Sequence, residues 1–380
     1  MHIKYYVLKI DERKVLSMKR TSTLVTLLLI TLIVSACAPA AAPAPDAGGG
    51  GAASPAAAPA QGGAQQAAEQ PAAAVRPLIL RAGNDTVASH PETRFLLRLS
   101  ELVEEYTEGR VLIEVFPSNM IGTSGERLQG LRDGTVAITS NSVGFFASFD
   151  PLVGIFESPY LFISDEHQYR VFQGEVGHQI NERLHEHGFF VFAWLEVGAR
   201  NITNSVRPIY TPEDLNGLLL RVPDTRASIE ALTALGAAAT PMPFAEVYMA
   251  LQQGVVDGQE NPLANIYNGR LYEVQNYVSL TGHQRLQQSI AIGTIFWDQI
   301  SPEDQEHFMR AAAEAKVYAQ ALFREDEERL IDVLRDRGMS INEVDVSLFV
   351  PLAQAVHESH IEEFGDVARN FFEIIESLTP

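Results

Sequence analysis

From Pro302 to about Arg337 the sequence keeps helical periodicity without a break, and no other stretch of the chain restricts its fold as much. At 1.5 Å per residue such a helix is about 50 Å long, more than one packed lobe of ordinary size needs. It is expected to run across two lobes as a common spine. The 380 residues, 46% hydrophobic and 20% charged, are enough for two lobes even after a processed segment is removed.

The region before the spine alternates strand and helix signals. LILRAG (78–83) reads as a strand, and PETRFLLRLSELVEEYTEG (91–109) as an amphipathic helix carrying Phe95, Leu99, Leu102, Val103 and Tyr106 on one side. VLIEVFP and AITSN read as further strands around a short helix in ERLQGLRDG. HQYRVFQGEVGHQINERLHEHG (167–188) reads as one helix ahead of the strand FFVFAWLE. Alternation of this kind argues for an α/β lobe with a largely parallel sheet. A second set starts near Gly198, with strands in ARNITNS, LLLRV, AAAT and VVDGQEN and helices over TRASIEALTALG and FAEVYMALQQG. YVSLTGHQ and QSIAIGTIFW read as paired strands returning the chain to the first lobe, and the segment after the spine as further helix. The expected fold is α/β and two-lobed, with lobe I over 77–197 and 287–326 and lobe II over 198–286 and 327–380.

Residues 1–36 read as an export signal: Lys19-Arg20 precede an apolar run too short and wrongly flanked for a spanning helix. Met18, directly before the basic pair, is a candidate true start. The run ends in Val34-Ser35-Ala36-Cys37, which resembles the lipobox of bacterial lipoproteins, and Cys37 is the only cysteine, so a disulfide framework and a cysteine zinc site are excluded. Residues 37–76, rich in Ala, Pro and Gly, read as a disordered spacer holding a globular body off a membrane. Removing 1–36, with six basic and two acidic side chains, takes the formal charge from −20 to −24. A nucleic-acid partner is excluded on that balance, and a site for a small anion has to rely on dedicated local cations.

One such cation is visible. Arg221 sits in LLLRV, a run otherwise aliphatic, and a guanidinium is costly to bury unless an acceptor meets it. Asp85 and His90 follow the first strand in GNDTVASHP, and Asn141 ends the AITSN strand, positions where open α/β sheets place ligand contacts. Enzyme motifs are missing: there is no GxSxG, no GxGxxG after a strand and no GxxxxGK[ST]. His185 and His187 are spaced to point apart, and His357 and His360 are read as lying on an exposed acidic face; neither pair is taken as a metal site. No cofactor is expected.

The block RVPDTRASIEALTALGAAATPMPFAEVYMALQQGVVDGQENP resembles the signature region of the DctP-type solute-binding proteins of TRAP transporters, family 7. GARNIT, VRPIYTPEDLNGLLLRVP, SPYLF and LYEVQNYVSLTGH fit the same family in the same order, so the resemblance runs from about Leu78 to the C-terminus. It implies a periplasmic-binding-protein-like fold that closes on an organic acid, with Arg221 gripping the ligand carboxylate through a bidentate fork. It also places Arg200 as a second cation, Phe244 as an apolar wall, Asn261 as an amide reading ligand oxygens, and His283 in the cleft. Local alternatives are an ion pair in a hinge strand for Arg200, core packing for Phe244 and a helix cap for Asn261. Because a carboxylate at Asp85 accepts from hydroxyls but repels a second carboxylate, a sugar acid is favoured over a C4 dicarboxylate. The implied protein is a monomeric, lipid-anchored, extracytoplasmic receptor that delivers the anion to small and large TRAP membrane subunits. An ABC-type solute-binding lipoprotein and a secreted hydrolase or lyase are the alternatives.

Overall fold

The computed structural model describes residues 76–380; the signal segment, Cys37 and all but the last residue of the spacer lie outside them. Among the described residues nine strands form one sheet: β1 (Leu78–Gly83), β2 (Val111–Phe116), β3 (Ile138–Ser142), β4 (Phe189–Asn204), β5 (Leu219–Val222), β6 (Ala238–Pro241), β7 (Gly258–Asn261), β8 (Tyr277–Gly293) and β9 (Ser340–Glu343). Their order is β2-β1-β3-β8-β4-β7-β5-β6, with β9 alongside β8. Parallel pairs β1/β2, β1/β3, β5/β6 and β5/β7 flank a central antiparallel pair, β4 and β8. This is the expected α/β arrangement, built in two halves on two shared strands.

Those shared strands correct the sequence reading. FFVFAWLE and ARNITNS are a single 16-residue strand, and YVSLTGHQ and QSIAIGTIFW are one 17-residue strand followed by a short helix, not a strand pair. Their register slips near Gly198 (φ +111°), and Gly282 (φ +52°) bends the facing strand. Both glycines hold positive φ, which a side chain resists, so the strands bend and keep pairing where a sequence pattern breaks. The first half pairs 288–292 of β8 with β3, and the second pairs 201–204 of β4 with β7. The helix expected over 167–188 is also two, Asp165–Gln173 and Glu175–Glu186, because Gly174 is extended.

The spine is present as a 35-residue helix, Pro302–Asp336, capped by Ser301, whose side chain accepts from the Asp304 amide. Its small residues Ala311, Ala312, Ala315 and Ala319 allow close packing against Phe95, Leu99 and Leu102 of helix Pro91–Tyr106. Further along, Leu330 and Leu334 enter a different core, with Val247, Leu251, Ile266 and Val278. One helix therefore belongs to two cores, as its length required. The last helix, Asp366–Ser377, grouped above with lobe II, packs Ala368, Phe371 and Ile375 among Phe156, Phe172 and Trp194 of the first half.

Candidate ligand-binding site

A cavity of about 510 Å³ lies between the two halves of the sheet. The first half contributes Asp85, Thr86, Glu92, Ser124 and Ser142, and the second contributes Arg200, Arg221, Phe244, Asn261 and Asn265. Five of the eight residues selected from sequence line it.

Arg221 reaches it by strand parity. On β5, Leu220 and Val222 turn into an apolar core with Ala231 and Leu232, so the side chain between them faces the other way. The residue is 2% exposed, and its Nε and Nη2 both donate to the Met242 carbonyl, at 2.8 and 2.6 Å. That uses the side edge of the fork and leaves the Nη1–Nη2 edge for a ligand. Burial lowers its pKa to about 10, against the opposing pull of Glu260, so it stays charged at neutral pH. Phe244, the first residue of its helix, stands beside it with the ring centroid 5.8 Å from the guanidinium carbon.

Arg200 lines the same wall already paired. Its Nε and Nη2 grip both carboxylate oxygens of Glu260, and Nη2 also donates to the Glu260 carbonyl at 2.9 Å. Burial acts to raise the Glu260 carboxyl, but Arg200 and His283 outweigh it and hold it at about 2. Among the described residues no carboxylate forms an ion pair with Arg221. On this wall Arg200 and Glu260 cancel, and Arg221 remains as a cation without an ion-pair partner among the described residues. Asn261, ending β7, donates to Gln259; Pro262, not Asn261, occupies the cap of the next helix. Asp85 accepts from Arg127 at 2.9 Å and from Ser124 at 2.6 Å.

Three selected residues stand behind the wall. His90 caps helix Pro91–Tyr106, accepting from the Glu92 amide, and its Nε2 lies 3.1 Å from Asn265 Oδ1; burial lowers its pKa to about 4. Asn141 is on the opposite strand face from the lining residue Ser142 and donates to the Ser124 carbonyl. His283 sits 3.3 Å from Glu260 and buttresses it from β8. His360, read from sequence as exposed, is buried between Ser158 (3.0 Å) and Glu230 (3.1 Å).

Two buried charged residues in or behind the cavity wall, Arg127 and Glu92, are not among the eight. Arg127 is fully buried and fixes Asp85, while Glu92 is 3% exposed in the cavity wall. Both had a readable signal: Ser124, Arg127, Leu128 and Leu131 share one helix stripe, as do Glu92, Phe95, Leu96 and Leu99. A charge on an apolar stripe raises the same question as Arg221 in its aliphatic strand.

A cavity of this size, walled by both halves of the sheet and carrying on one wall a buried guanidinium with no ion-pair partner among the described residues, is suited to a small anion. The class so defined is a two-lobed binding protein. Comparison with known proteins agrees: the model of DctP, bacterial extracellular solute-binding protein family 7, matches residues 83–363. The 2,3-diketo-L-gulonate-binding periplasmic protein YiaO of Escherichia coli (strain K12) is 32% identical over 262 residues, 69% of this chain and 80% of that one. The C4-dicarboxylate-binding periplasmic protein DctP of Rhodobacter capsulatus is 30% identical over 270 residues, 70% and 80% of the two chains. A TRAP periplasmic solute-binding protein of Roseobacter denitrificans, crystallised with bound L-galactonate, superposes with a TM-score of 0.75 at 34% identity, over 79% of this chain and all of that one. The chain belongs to the DctP family of TRAP solute-binding proteins, and the ABC-type alternative falls away.

Proposed function

We propose that this protein captures a hydroxylated organic acid, of the sugar-acid class, and delivers it to TRAP membrane subunits without altering it. The observation that carries the reading is Arg221, a buried guanidinium that lines a cavity, bonds only to the Met242 carbonyl and has no ion-pair partner among the described residues. The ligand carboxylate supplies the missing charge, and Asp85, Ser124, Asn261 and Asn265 offer the polar partners that hydroxyls need. The relatives are named for 2,3-diketo-L-gulonate and C4-dicarboxylates, and a structural neighbour holds L-galactonate, which frames the class.

Calorimetric titration with L-galactonate, and mass spectrometry of ligand released from protein purified without stripping, test the reading. The expected results are saturable binding and recovery of an unchanged organic acid. Closure of two lobes on the ligand also predicts a smaller radius of gyration at saturation. Recovery of a chemically converted product would make the protein an enzyme instead.

The reading also includes an anchor at Cys37 in VSAC, with two or three acyl chains giving stable attachment. No helix among the described residues is long and apolar enough to cross a membrane. Cys37→Ser is expected to move the protein from the membrane fraction to the soluble one with its melting temperature unchanged. Retention in the membrane fraction would remove the lipid anchor from the account.

A further inference from the structure

The cavity has an acidic side of which the capture of a ligand carboxylate makes no use. Glu92 opens helix Pro91–Tyr106 and reaches the cavity beside Asp85, but the two carboxylates are held differently. Asp85 has a guanidinium partner in Arg127, whereas the Glu92 Oε1 is met by neutral amides, Gln288 Nε2 at 3.1 Å and Asn84 Nδ2 at 3.4 Å. An acid this buried, with no cation of its own against it, is poorly placed to face a second anion.

We propose that Glu92 is a specificity-determining residue that accepts a hydroxylated ligand tail and rejects a second carboxylate at that end of the cavity. The inference rests on the organic-acid reading above and deepens it: the ligand is a monocarboxylate with a polyhydroxylated chain. A hydroxyl both donates and accepts, so it satisfies Glu92 in either protonation state. A carboxylate is tolerated only when Glu92 carries a proton. Burial, reinforced by the Asp85 charge, pushes the Glu92 carboxyl up to about 7, while Ser140, Arg127 and Asn84 pull it down. The other titratable or charged groups facing it are Asp85, Arg127 and His90, and His90, at about 4, is neutral from pH 6 upward.

L-Galactonate and galactarate separate the two tails, because they differ only in a terminal hydroxymethyl against a carboxylate. The sign follows from proton linkage: binding galactarate draws a proton onto Glu92, so its affinity falls once pH exceeds the free-protein value. Between pH 7 and 9 the galactarate Kd of the wild type should rise by up to about tenfold per pH unit, and the L-galactonate Kd by less than about twofold. Glu92→Gln should flatten the galactarate profile and narrow the preference for L-galactonate at pH 8 by about tenfold or more. Should that variant not fold, as judged by its melting curve, the two wild-type profiles decide alone. Parallel profiles for the two acids in the wild type, a slope that persists in Glu92→Gln, or no galactarate binding at pH 6 where L-galactonate binds, each overturns the assignment while leaving the functional reading intact. Failure of the wild type to bind either acid overturns both.

Discussion

Arg221→Ala should weaken L-galactonate binding by more than about a hundredfold while leaving the melting temperature of the ligand-free protein within a few degrees of the wild type. Each charge-assisted hydrogen bond lost to the ligand carboxylate costs about 1.5–3 kcal/mol, and the free edge of the fork offers two. The folded protein loses little, because the side chain's hydrogen bonds among the described residues are both to the Met242 carbonyl, and Arg221 itself lines a cavity whose water can take the place of its guanidinium. Removing the cation forfeits the attraction of Glu260, but it also removes the cost of burying a charge and the repulsion from Arg200, the two forces that lower the Arg221 pKa. Arg221→Lys keeps a charge but cannot hold Met242 and two ligand oxygens in one plane; a loss of roughly ten- to a hundredfold is expected. Titration calorimetry and thermal melts on both variants are the measurements. A large fall in melting temperature with affinity preserved would assign Arg221 to the scaffold.

Glu260 should show the opposite pattern. Glu260→Gln leaves Arg200 buried without its counter-charge, and breaking such a pair from one side costs about 3–5 kcal/mol of stability. For a chain of this size that corresponds to a fall of about 5–8 °C in melting temperature. The double variant Arg200→Met/Glu260→Leu, which removes both charges, should recover much of the loss. The pair also has an acid signature. The folded carboxyl lies at about 2, below the ordinary glutamate value of 4.5, so its contribution is complete above 4.5 and is lost as pH falls from there toward 2. Wild-type stability should decline through that window, and the decline should be shallower in Glu260→Gln. Equal stability of the single and double variants at neutral pH would show that the loss does not come from a stranded Arg200 charge.

These two residues also show what could be read in advance. Arg221 was legible because a strand announces its buried face by composition, and a single guanidinium among four aliphatic neighbours has no local reason to be there. The same logic, applied to helix stripes, points to Arg127 and Glu92. The spine helix was legible from length alone, and the α/β alternation from the change of period. Strand continuity was not: Gly198 and Gly282 look like breaks, and only the partner strand across the ladder shows that they are bends.

What the sequence by itself determined is the set of local commitments: the period of each element, its caps, and which charges fall on faces that must be buried. Tertiary structure alone decided how those charges were distributed between ligand and scaffold. Arg200 and Glu260 are 60 positions apart, Asp85 and Arg127 are 42 apart, and His90 and Asn265 are 175 apart. Whether a buried charge is answered by the chain or left for a ligand depends on distances of a few ångströms between such residues. Local propensity carries no information about those distances, because they are set by the register of β4 against β7 and β8 and by the packing of helices onto one sheet.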